Sequence, residues 1–301
     1  MPELPDITVY IEALRERLVD QRLRQVELKN PFLLRTVSPS IDELVGRRVR
    51  SFERLGKRIA IGFDEDLWLV LHLMIAGRLQ WRSAGVRRVQ GRTAAVFEFE
   101  SGTLFLTEAG TKKRASLHAV RGRADLRGHD PGGIDVLAAN FGEFRTAVTR
   151  ENHTLKRALT DPTILSGVGN AYSDEILHRA RLSPVALTGR LADEELERLH
   201  VAVQATLRDW VARLRAERGA EFPEHVTAFR EGMAVHGRYG KPCPVCGTAV
   251  QRIRYASNET NYCPRCQTGG KLLADRSLSR LLKRDWPRTV EELEKRRGER
   301  R

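Results

Sequence analysis

Apolar residues near the start of the chain recur at the spacing of an α-helix. The positions that share one face of such a helix are Ile7, Ile11, Leu14 and Leu18. Asp6 stands where a short polar side chain commonly caps a helix. This pattern predicts an amphipathic helix over residues 6–20.

From Gln25 to about Val120 the pattern changes to short runs rich in apolar and β-branched residues. The clearest runs are Val49–Leu55, Arg58–Phe63, Leu67–Leu73, Ala94–Phe99 and Thr103–Thr107. Ser101-Gly102 separates the last two runs and is typical of a hairpin turn. Many short strands joined by turns predict a β-sandwich or a barrel-like domain.

The rest of the chain is mainly helical in pattern. Glycines and a proline concentrate between residues 121 and 135, which is typical of a linker between domains. The clearest helix after this linker spans about Asp193–Arg218. The sequence therefore predicts an α+β protein of more than one domain.

Charge narrows the class of partner. The 301 residues carry a formal net charge of +13, which favours nucleic acid first and an anionic membrane surface second. A compositional bias toward arginine in the source genome would produce the same excess. No secretory signal pattern is visible, and the longest apolar run, Leu67–Ile75, is too short to span a bilayer. We therefore expect a cytoplasmic, nucleoid-associated protein that does not bind a membrane.

The cysteines indicate a metal site. Cys243 and Cys246 form one C-x-x-C pair, and Cys263 and Cys266 form a second pair sixteen residues later. This is the spacing of a tetrahedral zinc site with four thiolate ligands. A redox-active dithiol is the alternative, but two adjacent pairs fit a metal better. Closed coordination by four cysteines implies a structural zinc ion, not a catalytic one.

Other segments carry candidate chemistry that is weak in isolation. Removal of Met1 would make Pro2 the N-terminus, and its secondary amine could attack a sugar carbon. The turn Gly167-Val168-Gly169 precedes a predicted helix and would suit a phosphate group. Most motifs of either kind have no such role. Taken alone, Lys57 in a turn indicates a solvated lysine, and His72 in an apolar strand indicates a hydrogen-bonded core histidine.

The order and spacing of these motifs are specific in combination. They are Met1-Pro-Glu-Leu-Pro5, Gly56-Lys57, His72-Leu73 with Gly77, Gly167-Val-Gly-Asn170-Ala-Tyr172, and the cysteine pairs ending in Cys266-Gln267. With them the chain resembles the formamidopyrimidine-DNA glycosylase and endonuclease VIII family of base-excision repair enzymes over about residues 2–272. The first five residues are closest to the formamidopyrimidine branch.

The resemblance implies a fold and its boundaries. We expect an N-terminal catalytic β-sandwich with a long helix over residues 1–122, a linker over 123–136, a helix-two-turn-helix domain over 137–240 and a zinc finger over 241–270. Residues 271–301 would form a charged tail with a short helix at Leu278–Leu282. Damaged double-stranded DNA would lie in the cleft between the domains. The remaining expectations are one structural zinc ion, no small-molecule cofactor and a monomeric protein.

The resemblance also implies roles for individual residues. Pro2 would attack C1′ of a flipped damaged nucleotide and release its base through a Schiff base. Glu3 would be the acid/base partner, and Lys57 would contact DNA beside the site. Successive β- and δ-eliminations would then cut the strand. Further DNA-binding residues would be His72, Lys156, Asn170, Tyr172 and Asn258.

The zinc finger departs from the family at one position and the lesion-binding loop at another. The family's finger arginine, five residues before the third cysteine, is replaced by Asn258, although Arg252, Arg254 or Lys271 offer alternative charges. The Gly- and Thr-rich loop that closes over 8-oxoguanine is not recognisable, and Glu217–His225 occupies its approximate place.

The residues that fill the space left by the flipped base also differ. The family's void-filling methionine aligns with Ile75, with Met74 one place earlier. The arginine-phenylalanine wedge is replaced by Thr111–Ser116, which has no aromatic residue and offers Arg114 as a candidate. Altered wedges imply an altered lesion or opposite-base preference.

Three hypotheses follow. The first is a DNA glycosylase with abasic-site lyase activity that is not dedicated to 8-oxoguanine and acts instead on oxidised pyrimidines, ring-opened purines, abasic sites or a bulkier adduct. The second is a non-catalytic or lyase-only protein that binds lesions on the same scaffold. The third, a zinc-ribbon regulator that binds nucleic acid, explains the charge and the cysteines but not the N-terminal motif.

Overall fold

The computed structural model of the protein describes residues 1–84, 93–255, 258–275, 279, 281 and 286–298. Packing divides the chain into a first unit, Met1–Gly133 with Asp209–Ala228, and a second unit, Ile134–Arg208 with Phe229–Arg301. Within the described ranges no helix is long and apolar enough to cross a bilayer. The finer boundaries expected from the sequence stay a prediction.

The first unit begins with helix α1, Leu4–Leu18. The N-cap residue is Glu3, three residues before the Asp6 that the sequence suggested. The backbone N–H of Glu3 donates to Asp6 Oδ2 at 2.9 Å, so Asp6 satisfies the cap from inside the first turn. Pro5 fits that turn because its missing N–H has no helical partner there. The predicted helix is therefore present, but the predicted cap was wrong.

Strands follow α1 in the first unit. They are β1 Leu23–Leu28, β2 Val49–Leu55, β3 Arg58–Phe63, β4 Leu67–His72, β5 Gly77–Ser83, β6 Thr93–Phe99, β7 Gly102–Glu108 and β8 Ser116–Arg121. They form two four-stranded antiparallel sheets with strand orders β1-β6-β7-β5 and β2-β3-β4-β8. All five predicted runs are strands, and Ser101-Gly102 lies at the connection between β6 and β7, as predicted.

One hydrophobic core joins both sheets to α1, which confirms the predicted sandwich. Fully buried members include Tyr10 and Leu14 of α1, Leu71 of one sheet and Leu106 of the other. Burying each such side chain contributes about 1.5–3 kcal/mol. On the opposite face of the second sheet, Trp68 packs in a smaller cluster with Leu126 of helix α2, Gly122–Arg127. Helix α2 lies inside the stretch predicted to be a linker.

The second unit is helical and ends in the zinc-finger region. Its helices are α3 Phe141–Thr149, α4 Leu155–Thr160, α5 Asn170–Ala180, the first part of α6 Asp193–Arg218, α7 Pro264–Thr268 and α8 Val290–Gly298. Strands β9 Gln251–Arg254 and β10 Glu259–Tyr262 form an antiparallel hairpin between the cysteine pairs. The bounds predicted for α6 are confirmed. The predicted helix at Leu278–Leu282 lies largely outside the described residues.

Candidate active site and nucleic-acid interface

Pro2 and the two carboxylates after it lie at the buried start of α1. Glu3 and Asp6 are each 3% exposed, and Pro2 is buried beside them. An ionised carboxylate is rarely buried without compensating donors or charges. The N-terminus is therefore a place where acidic groups and an amine are held together by the first turn of a helix.

The N-terminal amine has cations as well as carboxylates around it. Burial lowers the pKa of the Met1 ammonium below its usual value, while the nearby charges of Glu3 and Asp6 raise it and those of Arg78 and Lys57 lower it. The structure thus brings Glu3 and Lys57 into electrostatic range of one amine. A lowered pKa increases the unprotonated fraction of this Met1 amine near pH 7.

Arg78 is a member of this group that sequence reasoning missed. Its guanidinium donates to the carbonyl oxygens of Gly77 at 2.6 Å and Ile75 at 3.1 Å. It therefore fixes the chain just after the void-filling candidates while contributing positive charge near the amine. Its position one residue after Gly77 carries no pattern that could have identified it.

Lys57 and His72 are placed by neighbouring strands. Gly56, at φ +62°, and Lys57 form the turn between β2 and β3. Arg58 lies opposite His72 in the β3–β4 ladder. Burial, followed by the charges of Arg58, Lys57 and His118, lowers the pKa of His72 to about 4. His72 is thus half-buried and neutral near pH 7, beside two fixed cations.

Two further histidines lie near this group, His118 on β8 of the same sheet and His129 in the segment after α2. The rings of His118 and His129 lie 4.5 Å apart, and Arg58 donates to the carbonyl of His129 at 2.7 Å. Burial, with the charges of His129, Arg58 and Arg35, lowers the pKa of His118 to about 4. Sequence reasoning missed both histidines because β8 and the segment after α2 meet only in the fold.

Acid should destabilise the first unit through these histidines. The unfolded chain takes up protons near pH 6.5, whereas His72 and His118 resist protonation in the folded state until about pH 4. The contribution of these two histidines to the free energy of unfolding is therefore fully present above pH 6.5 and is lost as the pH falls toward 4. Lowering the pH from 7 to 4.5 should reduce the melting temperature of both proteins. We expect the reduction to be several degrees smaller for His118→Phe than for wild type.

The matched control is His225→Phe, an exposed histidine of the same unit. It should keep the wild-type pH dependence in the same thermal melts. An unchanged pH dependence in His118→Phe would show that His118 does not resist protonation in the fold.

The void-filling candidates lie on two neighbouring loops. Met74 has a φ of +52°, which is strained for a residue with a side chain, and Ile75 is 61% exposed. A methyl group on Gly110 would lie 3.2 Å from Ala76 Cβ, so the loop that carries Arg114 runs beside them. The structure therefore brings Met74, Ile75 and Arg114 into one region, although their role stays a prediction.

Glu108 holds the second of these loops and was not predicted. It is 1% exposed, and its Oε1 accepts from the backbone N–H groups of Arg114 at 2.7 Å and Ala115 at 3.0 Å. A carboxylate that accepts two backbone hydrogen bonds fixes a turn firmly. Glu108 thereby fixes the backbone at Arg114, two residues before β8 begins.

In the second unit, the two-turn motif ends at α5. Gly167 has a φ of +87°, and Gly169 is the N-cap of the helix. Asn170 is the first helical residue, and its Nδ2 donates to the Glu259 carbonyl at 3.0 Å. The amide has a second N–H, and it lies at the N-terminus of α5, where the helix dipole favours a negative charge. This arrangement suits an anion such as a DNA phosphate.

Two other predicted DNA-binding residues of this unit lie differently. Tyr172 is 2% exposed and belongs to the core, which favours a packing role. The Lys156 ammonium pairs with the buried carboxylate of Asp174 and donates to the Asn170 carbonyl at 2.7 Å. With only 12% of its side chain exposed, Lys156 supports the start of α5 more directly than it presents a charge to solvent.

The cysteines form the predicted metal site. The Sγ atoms of Cys243, Cys246, Cys263 and Cys266 all lie within 4.8 Å of one another. A tetrahedral Zn²⁺ ion with Zn–S distances of about 2.3 Å requires sulfurs about 3.8 Å apart, and the Cys243–Cys266 pair is at 3.9 Å. The donor set fits one structural zinc ion, with these four thiolates as its ligands.

The finger hairpin shows which charges could replace the missing arginine. Asn258 is exposed near the tip, and its carbonyl accepts from Tyr255 N–H at 2.8 Å. Arg252 pairs with Glu259 at 3.2 Å. Arg254 is exposed, and within the described part of the chain its guanidinium has no ion-pair partner. Arg254 is therefore the more available of the two arginines.

Comparisons with known proteins agree with this architecture. Family models match in order: the formamidopyrimidine-DNA glycosylase N-terminal domain at residues 1–115, the H2TH domain of the same family at 132–217, and a zinc finger found in FPG and IleRS at 240–269. A formamidopyrimidine-DNA glycosylase of Heliobacterium modesticaldum is 33% identical over 284 residues, covering 89% of this chain and all of that protein. The chain belongs to the formamidopyrimidine-DNA glycosylase and endonuclease VIII family.

Two further relatives define the range of similarity. An uncharacterised formamidopyrimidine-DNA glycosylase-like protein of Mycobacterium tuberculosis is 42% identical over 151 residues, which is 50% of this chain and 94% of that protein. The structure of Lactococcus lactis Fpg with DNA containing an abasic site has a TM-score of 0.78 at 23% identity, covering 88% of this chain and 99% of that one. At that identity the likeness shows a shared fold.

Proposed function

We propose that the protein is a DNA glycosylase with abasic-site lyase activity that acts in base-excision repair, with Pro2 as its nucleophile. The observation that carries the proposal is that Pro2 and Glu3 are buried together at the start of α1, where the Met1 amine next to Pro2 lies in electrostatic range of Glu3, Lys57 and Arg78. Membership of this family supports DNA as the substrate, as do the helix-two-turn-helix domain and the zinc finger. The net charge of +13 supplies affinity for its backbone.

The proposed reaction uses these groups in sequence. After Met1 is removed, the Pro2 nitrogen attacks C1′ of the flipped nucleotide, and the base leaves with the electrons of its glycosidic bond and takes up a proton. The C1′–O4′ bond then opens, Glu3 delivers a proton to O4′, and an iminium forms between Pro2 and C1′. Lys57 contacts the neighbouring phosphate.

Strand cleavage follows from the iminium, which is an electron sink. Loss of a proton from C2′ expels the 3′ phosphate by β-elimination, and a second elimination expels the 5′ phosphate. Water finally hydrolyses the remaining iminium and restores the Pro2 amine. The base must leave the helical stack before this chemistry can begin.

The segment in place of the 8-oxoguanine loop is packed against its own unit. Phe222 is 8% exposed, and its ring lies 5.8 Å from that of Tyr10. Arg82 forms a two-point ion pair with Glu224, and Arg17 donates to the carbonyl of Ala220 at 2.8 Å. A segment anchored at three points is poorly suited to close over a base, which supports a substrate other than 8-oxoguanine.

A competing function is lesion binding without base excision. Asn258 carries no charge where the family has a phosphate-binding arginine, and Lys156 is engaged with Asp174. Both features weaken predicted DNA contacts without affecting the N-terminal site. Detection of base release therefore separates the two functions.

A panel of lesion duplexes tests the preference. We expect base release from a ring-opened purine or an oxidised pyrimidine to exceed release from 8-oxoguanine by at least about tenfold in kcat/KM. Cleavage of a preformed abasic site should be readily detected. Comparable or greater release of 8-oxoguanine would contradict the inferred preference, and binding without any release or cleavage would favour the competing function.

A further inference from the structure

One face of α5 runs alongside the zinc-finger region. Asn170, Asp174 and His178 recur at intervals of four residues, so their side chains lie on the same side of the helix. Asn170 donates to the Glu259 carbonyl of strand β10 at 3.0 Å. The other two residues continue this contact toward the cysteines.

Asp174 is the centre of a buried polar network. Its carboxylate is 0% exposed and accepts from Lys156 Nζ, from His236 Nδ1 at 2.8 Å and from the backbone N–H of Asn261 at 3.1 Å. These partners come from α4, from the segment before the first cysteine pair, and from β10. A fully satisfied buried network of this kind holds its members in a single arrangement.

Glu175 fixes the same segment through its backbone. Its carboxylate accepts three N–H groups, from Ala234 at 2.7 Å and from Val235 and His236 at 2.9 Å. Residues 234–236 precede the first zinc ligand, Cys243, in the chain. The orientation of α5 and that of the finger are therefore set together.

His178 completes this face by reaching a metal ligand. Its Nε2 lies 3.2 Å from Cys243 Sγ, and the two residues are 7% and 3% exposed. A zinc-bound thiolate can only accept a hydrogen bond, so Nε2 must carry the proton in this contact. His178 lies outside residues 241–270, so its donor comes from the helical module and not from the finger.

We propose that His178 is a positioning residue of the zinc centre, donating its Nε2–H to Cys243 Sγ and coupling zinc retention to the helix that begins at Asn170. Four thiolates and one Zn²⁺ ion leave a net charge of −2 in a site where two of the ligands, Cys243 and Cys263, are buried. A donor to one thiolate withdraws part of that charge and holds the sulfur in place. Removal of this donor should weaken zinc binding without removing a ligand.

The test compares two variants of His178 with a matched control in the full-length protein. His178→Phe keeps an aromatic ring but has no donor, whereas His178→Gln places an amide N–H near the position of Nε2. The control, His200→Phe, removes a partly buried histidine of the same unit that donates to the Ala139 carbonyl, away from the cysteines.

Zinc affinity is measured by competition with a chromogenic chelator, and sulfur accessibility is measured by alkylation of the zinc-loaded protein. We expect His178→Phe to weaken zinc binding about 10–100-fold and to accelerate alkylation. His178→Gln should restore most of the affinity, and His200→Phe should match wild type. Neither readout depends on the proposed glycosylase chemistry.

Two results would overturn the proposal. Equal zinc affinity and alkylation rate in His178→Phe and wild type would show that the contact contributes nothing to the site. Equal losses in His178→Phe and His178→Gln would assign the effect to packing and exclude the hydrogen bond.

Discussion

We expect retention of Met1 to abolish the covalent DNA adduct that borohydride traps. With Met1 in place the Pro2 nitrogen is a tertiary amide, whose lone pair is delocalised into the carbonyl and cannot attack C1′. An N-terminal extension that blocks processing should therefore reduce both trapping and strand cleavage by at least about 10³-fold. Mass spectrometry of the intact protein establishes which N-terminus each preparation carries.

The matched control for this result is Pro5→Ala in the processed protein. Pro5 is a second buried proline in the first turn of α1, and alanine is favourable at that position. This variant should keep its adduct and its cleavage. Full trapping by the extended protein would contradict a role for Pro2 and would direct attention to the neighbouring Lys57.

Loss of one zinc ligand has the second large effect. We expect Cys246→Ser to lose its zinc and to bind an abasic-site duplex at least about 100-fold more weakly, because structural zinc contributes about 10–16 kcal/mol of apparent binding free energy to the folding of zinc fingers. Without the ion, the β9–β10 hairpin has little core of its own. Metal analysis of the purified protein and fluorescence anisotropy with labelled duplex measure the two quantities.

Val245→Ser provides the control in the same knuckle. Val245 is 61% exposed and contributes no metal ligand, so this variant should keep one zinc per chain and wild-type DNA affinity. Retention of zinc and DNA binding by Cys246→Ser would contradict the four-thiolate site. Zinc loss with unchanged DNA affinity would show that the finger does not participate in binding.

The regular elements and the metal site could be predicted from the sequence because their signals are local. Alternation and turn residues located β2, β3, β4, β6 and β7, and the helical period located α6. The two C-x-x-C pairs carry their own spacing rule. In each case the residues that form the sequence pattern also form the strand, helix or metal site. The prediction therefore needed no information from a distant segment.

The cap of α1 shows where local reasoning was less accurate. Asp6 is a common N-cap residue, but the Glu3 backbone N–H reaches the Asp6 carboxylate from one turn earlier. Pro5 is compatible with that earlier start, since proline is tolerated in the first helical turn. The helix could be predicted, and its first residue could not.

The supporting residues of the candidate site could not be predicted because their partners are far apart in sequence. His118 and His129 meet through β8 and the segment after α2, and Asp174 pairs with His236 across 62 residues. Lys156 illustrates the converse. The family resemblance implied a DNA contact for Lys156, which stays a prediction, and the fold shows that the buried Asp174 pairs with its ammonium.

Peptide mapping of the trapped adduct tests most directly whether Pro2 forms the covalent bond to the damaged sugar. The processed protein is mixed with an abasic-site duplex, and borohydride reduces the imine between them. The adduct is then treated with nuclease and digested with trypsin. We expect the added sugar fragment on the peptide spanning residues 2–15, at its N-terminal nitrogen. An adduct on Lys57, or no adduct with any lesion duplex, would contradict it.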